Sequence, residues 1–188
     1  MTRANITNFL LFQLGWFACV LGGAHDQVTI GCIIVFSVIA YHLFQAKDAL
    51  QELRLLIVAF IIGLIFESII TANGVARYSH GQFSELIAPF WMILMWPLFA
   101  TTINLSMRWL KALSPLLVAV TGAIFAPLAY FAGSRLGAVN YDDLFLAMTS
   151  IAIAWAILFP ALVVMSLKLD GFNISSPDSD TQRQAQNV

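Results

Sequence analysis

Six apolar stretches, residues 6–24, 28–46, 53–73, 86–107, 112–134 and 144–167, are each long enough to cross about 30 Å of hydrocarbon. Only short polar connections separate them, and short connections force consecutive helices to run antiparallel. Strands of a transmembrane barrel would alternate polar and apolar residues over about ten positions. The Leu, Ile, Ala and Phe of these stretches run on without alternating. The expectation is an all-α, polytopic membrane protein, a bundle of about six transmembrane helices occupying residues 1–169. Composition excludes an ordinary soluble domain, because 60% hydrophobic and 10% charged residues, with mean hydropathy +0.86, leave too few polar groups to cover a solvated surface.

Orientation follows from the basic residues. Arg3, Lys47, Arg54, Arg108, Lys111, Lys168 and Arg183 fall on one side, against Arg77 and Arg135 on the other. The positive-inside rule then predicts that both termini are cytoplasmic. A formal net charge of -1 carries no nucleic-acid signal, and no basic cluster reads as a lipid-headgroup patch. Residues 170–188 are rich in Ser, Asp, Gln and Asn and read as a disordered polar cytoplasmic tail. The first stretch is compared with a cleaved signal peptide because Gly22 and Ala24 are small; its length and its Asn8, Gln13 and Trp16 favour retention.

Glu67 is the one charged residue in the middle of the long apolar run 55–72. An intramembrane carboxylate is costly and marks a functional site by default. Counting about 1.5 Å per residue places Glu67, Tyr130 and Trp91 at similar depths below the outer surface. Arg135 sits just beyond helix five, where it can snorkel inward. Glu67, Tyr130, Trp91 and Arg135 are therefore the ligand-binding candidates, forming an outward-opening pocket floored by Glu67. The alternative stays open: Glu67 can instead hydrogen-bond Thr71 or Ser68 and serve as neutral helix glue.

Asn8, Gln13, His42 and Asn104 make a second polar layer toward the inner surface, joined by Ser106. His42 can accept a proton near neutrality or be a satisfied structural residue, and Asn104 and Gln13 can satisfy one another across helices. His25, Asp26, His80, Glu85, Asp142 and Asp143 lack ligand spacing, so neither a metal site nor a cofactor is expected. Cys19 and Cys32 should meet at similar depth, where a disulfide is geometrically possible and two small buried apolar side chains are the other reading. Gly133 and Gly137, and Gly122 with Ala126, have the small-residue spacing that lets helices approach closely. No serine elbow, phosphate loop, haem motif or nucleotide fingerprint is present.

Residues 8–17 (NFLLFQLGWF), 89–99 (PFWMILMWPLF) and 122–133 (GAIFAPLAYFAG) resemble a family of small proteobacterial inner-membrane proteins, domain of unknown function twenty-eight seventy-eight. The resemblance covers residues 5–168. It implies a multi-pass bacterial inner-membrane protein and transfers no catalytic residues, since the family has no established reaction. Its genes often neighbour cyclopropane-fatty-acid synthase and other lipid-modification or stress genes, which implies a role in modifying or protecting membrane lipids.

Three functional expectations result. The first is a lipid-related protein whose intramembrane cavity near Glu67 takes an acyl chain, with membrane lipids as partners. The second is a small-solute transporter or its membrane-embedded binding subunit, because size and helix count resemble the substrate-binding components of energy-coupling-factor vitamin transporters. The third is a structural membrane partner without a ligand. A long apolar tunnel open to lipid favours the first, a closed pocket with convergent polar groups the second, and a filled bundle with a small-residue groove the third.

Overall fold

The computed structural model describes residues 2–173. Six α-helices run up and down: α1 (Arg3–Ala24), α2 (Val28–Gln45), α3 (Ala49–Ala72), α4 (Phe90–Ile103), α5 (Pro115–Arg135) and α6 (Leu144–Lys168). A tight helical turn, Arg108–Ala112, leads into α5. Local chemistry sets the starts. Thr2, Asp48, Ser114 and Asp143 accept hydrogen bonds from first-turn N–H groups of α1, α3, α5 and α6. Pro115 follows Ser114 at the first helical position of α5, where its missing N–H costs nothing.

Five of these helices are long and apolar enough to cross a membrane, and their outer faces carry Leu10, Ile33, Ile61, Ile153 and Ile157 in exposed positions. Such a surface is stable only against hydrocarbon. The chain is thus an all-α, multi-pass membrane protein. The expected fourth span, 86–107, is shorter: α4 has 14 residues, about 21 Å, less than the hydrocarbon core. Pro89 begins it and Asn104 ends it. Eleven of its residues are buried, because α4 packs centrally against α3, α1 and α2 and meets protein where the others meet lipid.

The α5–α6 pair packs tightly on itself and sparingly on the rest. Gly122 permits this, since a Cβ there would stand 2.6 Å from the Trp155 carbonyl oxygen. The Gly133–Gly137 spacing has another use. α5 ends at Arg135, and Gly137, with φ +88°, takes the left-handed conformation that closes the helix.

At one end, the strands β1 (Arg77–Tyr78) and β2 (Val139–Asn140) pair antiparallel and tie the α5–α6 pair to α3. At the other, Asp170 to Asn173 lie against the α2–α3 connection, with Asp48 N–H donating to the Gly171 carbonyl at 2.9 Å. The expected tail, 170–188, therefore begins with residues held to the bundle; its remainder, 174–188, lies outside the described residues.

Candidate functional site: a buried carboxylate beside an apolar cleft

Glu67 is fully buried on the inward face of α3. That face is a helical stripe of Glu52, Leu55, Leu56, Ala59, Gly63, Glu67, Ile70 and Thr71. Three neutral donors converge on the carboxylate. Trp96 Nε1–H of α4 donates to Oε1 at 2.8 Å, the Tyr130 hydroxyl of α5 donates to the same oxygen, and the Tyr78 hydroxyl of β1 donates to Oε2 at 3.1 Å. Burial, and then the neighbouring Glu67, push the Tyr78 hydroxyl well above its ordinary value, so it stays a protonated donor. The carboxylate thereby joins α3, α4, α5 and the ribbon, with no cation in contact among the described residues.

Tyr130 stands where the depth argument placed it. Trp91 is buried and lines the apolar cleft, but it makes no hydrogen bond to Glu67: it donates to the His80 carbonyl at 3.1 Å and packs edge-on against Tyr78. Arg135 does not join the site. It is exposed at the end of α5, and among the described residues no ion pair links it to Glu67. Solvation at the helix end outweighs burial of a guanidinium beside a carboxylate already satisfied by three donors. Thr71 donates to the Glu67 backbone carbonyl at 2.6 Å, leaving the carboxylate to the aromatic donors.

A cavity of about 470 Å³ opens between α1, α4, α5 and α6. Glu67 does not floor it. Tyr130 and Trp96 line the wall and stand between the cleft and the carboxylate. Val139 and Gly133 mark one end, Met107 and Trp109 the other, so the cleft extends along the helices. Exposed Phe9, Phe125 and Trp109 form part of its lip. Trp155 stacks on Trp96 at 4.7 Å and 26° and stiffens the wall behind them. Gln13, Thr121 and Tyr130 supply an amide and two hydroxyls to an otherwise mostly apolar lining.

The second polar layer exists, with a different centre. Glu52, fully buried in the first turn of α3, accepts from His42 Nε2 at 2.8 Å, Asn104 Nδ2 at 2.6 Å and Gly171 N–H at 2.8 Å. Asn104 Oδ1 accepts from Lys111 at 2.6 Å, and Lys111 and Arg108 both hold Asp170. Asn8 accepts from the Ser106 hydroxyl at 2.6 Å and donates to the Thr101 carbonyl at 3.2 Å. Gln13 does not pair with Asn104. It lies mid-helix on the cleft wall, too far from the layer that consumes the Asn104 amide.

Sequence reasoning missed Glu52, Trp96 and Tyr78. Glu52 lies just before the expected third stretch, 53–73, yet its spacing to Leu55, Leu56, Ala59 and Gly63 puts it on the Glu67 face. Cys19 and Cys32 are free thiols.

Fold and site together define a polytopic α-helical membrane protein with a carboxylate-backed apolar cleft. Within that class, the chain belongs to the family described as Protein of unknown function (DUF2878), whose profile matches residues 5–161. No curated protein and no solved structure matches it.

Proposed function

We propose that the protein holds one acyl chain of a membrane lipid in this cleft, in the bacterial inner membrane and with both termini cytoplasmic. The carrying observation is the cleft itself: elongated, largely apolar, and lipped by exposed aromatic residues. Its 470 Å³ falls in the range of single-ligand pockets, about 300–1,000 Å³. A partner helix, about 10 Å across with its side chains, is too thick to enter. The scarcity of polar groups on the wall favours hydrocarbon over a polar solute.

Hydrophobicity alone does not select the occupant, because bulk lipid is equally apolar. Selection rests on close packing against the Phe12, Phe99, Trp96 and Trp155 rings, where dispersion summed over many contacts exceeds that with mobile lipid tails. The Tyr130 hydroxyl lies about 8 Å from the end of α5, nearer a headgroup than a chain terminus. There the Glu67–Tyr130 pair stands beside the upper part of the bound lipid.

Native mass spectrometry of the purified protein tests this reading. Wild type should retain a lipid through detergent exchange, and Ala129→Trp, which places a large ring in the cleft from an exposed position, should lose it. Equal lipid retention by both proteins, or none by wild type, would contradict the proposal.

A further inference from the structure

Gln13 is the one side-chain amide on the cleft wall among the described residues. It stands ten residues after Arg3 and eleven before Ala24 in α1, so about 15 Å of helix separates it from either end. That is the middle of the hydrocarbon core. Its neighbours along the wall are Phe9, Phe12 and Trp16, and α5 contributes Gly122, Phe125 and Ala126 to the lining.

Of the amide and two hydroxyls on this wall, only the amide is uncommitted; the buried Trp155 indole N–H is a further wall donor without a partner among the described residues, but it can only donate. The Thr121 hydroxyl donates to the Val118 carbonyl at 2.7 Å, and the Tyr130 hydroxyl donates to Glu67. Asn8 and Asn104 are bound within the second polar layer. Gln13 makes no side-chain hydrogen bond to any other residue among those described, although a lone amide in hydrocarbon is strongly unfavourable.

We propose that Gln13 reads an oxygen carried in the distal half of the bound acyl chain, as a hydroxyl or keto group. This rests on the acyl-chain reading of the cleft and names the lipid class it takes. A carboxamide both donates and accepts, so it satisfies a hydroxyl reciprocally and a ketone through its NH₂. An unsubstituted chain leaves the amide unpaired, and a site built around a hydrogen bond rejects the analogue lacking it. Because Gln13 is near the middle of α1, the required depth is nearly the same for a chain anchored at either membrane face.

The test uses the full chain in nanodiscs, incubated with an equimolar mixture of stearate, a stearate hydroxylated in its distal half and a stearate hydroxylated beside its carboxyl group. A parallel mixture carries the same chains as phosphatidylglycerol esters. Bound chains are quantified by mass spectrometry for wild type, Gln13→Leu and Gln13→Met. Wild type should enrich the distally hydroxylated chain over stearate by about three- to tenfold, the worth of one net hydrogen bond. Both variants should lose that enrichment, with the distally hydroxylated chain bound no better than stearate, and the proximal hydroxyl should show no Gln13-dependent gain. Enrichment of the free acid, the ester or both identifies the source. Absence of enrichment in both forms, or its survival in both variants, overturns the inference. Stearate binding by wild type in those cases leaves the acyl-chain reading standing, and its absence removes both.

Discussion

Trp96 lies across Gly63, one turn before Glu67 on the same face of α3, and donates its indole N–H to the Glu67 carboxylate at 2.8 Å. A Cβ on Gly63 would collide with Cβ, Cγ and Cδ1 of Trp96. In an ordinary helix interior Gly→Ala stabilises by about 1 kcal/mol. Here the sign should reverse: Gly63→Ala is expected to cost about 1–3 kcal/mol through overpacking, read as a lowered unfolding temperature in detergent with altered tryptophan emission.

Glu67→Gln and Glu67→Leu should separate. With Gln, the amide oxygen keeps Trp96 and Tyr130, and the Tyr78 hydroxyl rotates to accept from the NH₂. Stability should change by no more than about 1 kcal/mol. Leu strands three buried donors, each worth about 1–3 kcal/mol. Thermal unfolding of the two purified variants checks the order, and lipid retention checks function: loss in the folded Gln variant marks the ionisable proton as required, whereas unchanged retention marks Glu67 as helix glue.

Glu52 should be as important to stability as any residue in the bundle. Glu52→Ala leaves His42, Asn104 and Gly171 without their shared acceptor and is expected to cost about 3–5 kcal/mol. Gly171 itself has no room for a side chain, since a Cβ would collide with the Asp48 carbonyl. Gly171→Val should therefore free the segment that follows α6, and chymotrypsin should cut at Phe172 faster than in wild type while the helical core stays intact.

Topology has its own check. Asn8, Glu52 and Asp170 lie at one end of the bundle with Arg3, Lys47, Arg54, Arg108, Lys111 and Lys168, Glu52 and Asp170 being joined through Asn104 and Lys111. Reporter fusions should show Gln51 on the cytoplasmic side and Gly81 outside. An outside signal from Gln51 would reverse the orientation.

Much of this was readable from residue order because the bilayer imposes a single vertical coordinate. Helix counting gave Glu67 and Tyr130 a common depth, and they are hydrogen-bonded. Depth says nothing about azimuth, and Trp91 proved to have another partner. Arg135 failed for an energetic reason, since its charge is solvated at the helix end. Tyr78 was invisible because it reaches Glu67 from a ribbon whose pairing with Val139 and Asn140 is a long-range contact. The shortness of α4 was hidden as well: a helix buried in protein and one buried in lipid are equally apolar.

The central claim is that one acyl chain occupies the cleft between α1, α4 and the α5–α6 pair. Photocrosslinking in membranes with a phospholipid carrying a diazirine along its chain, followed by peptide mapping, tests it most directly. Adducts should concentrate on Phe12, Phe99, Phe125 and Ala126, exceed those on the lipid-facing Ile61, Ile153 and Ile157, and fall in Ala129→Trp. Adducts confined to the outward isoleucines, with none on the cleft wall, would contradict the account.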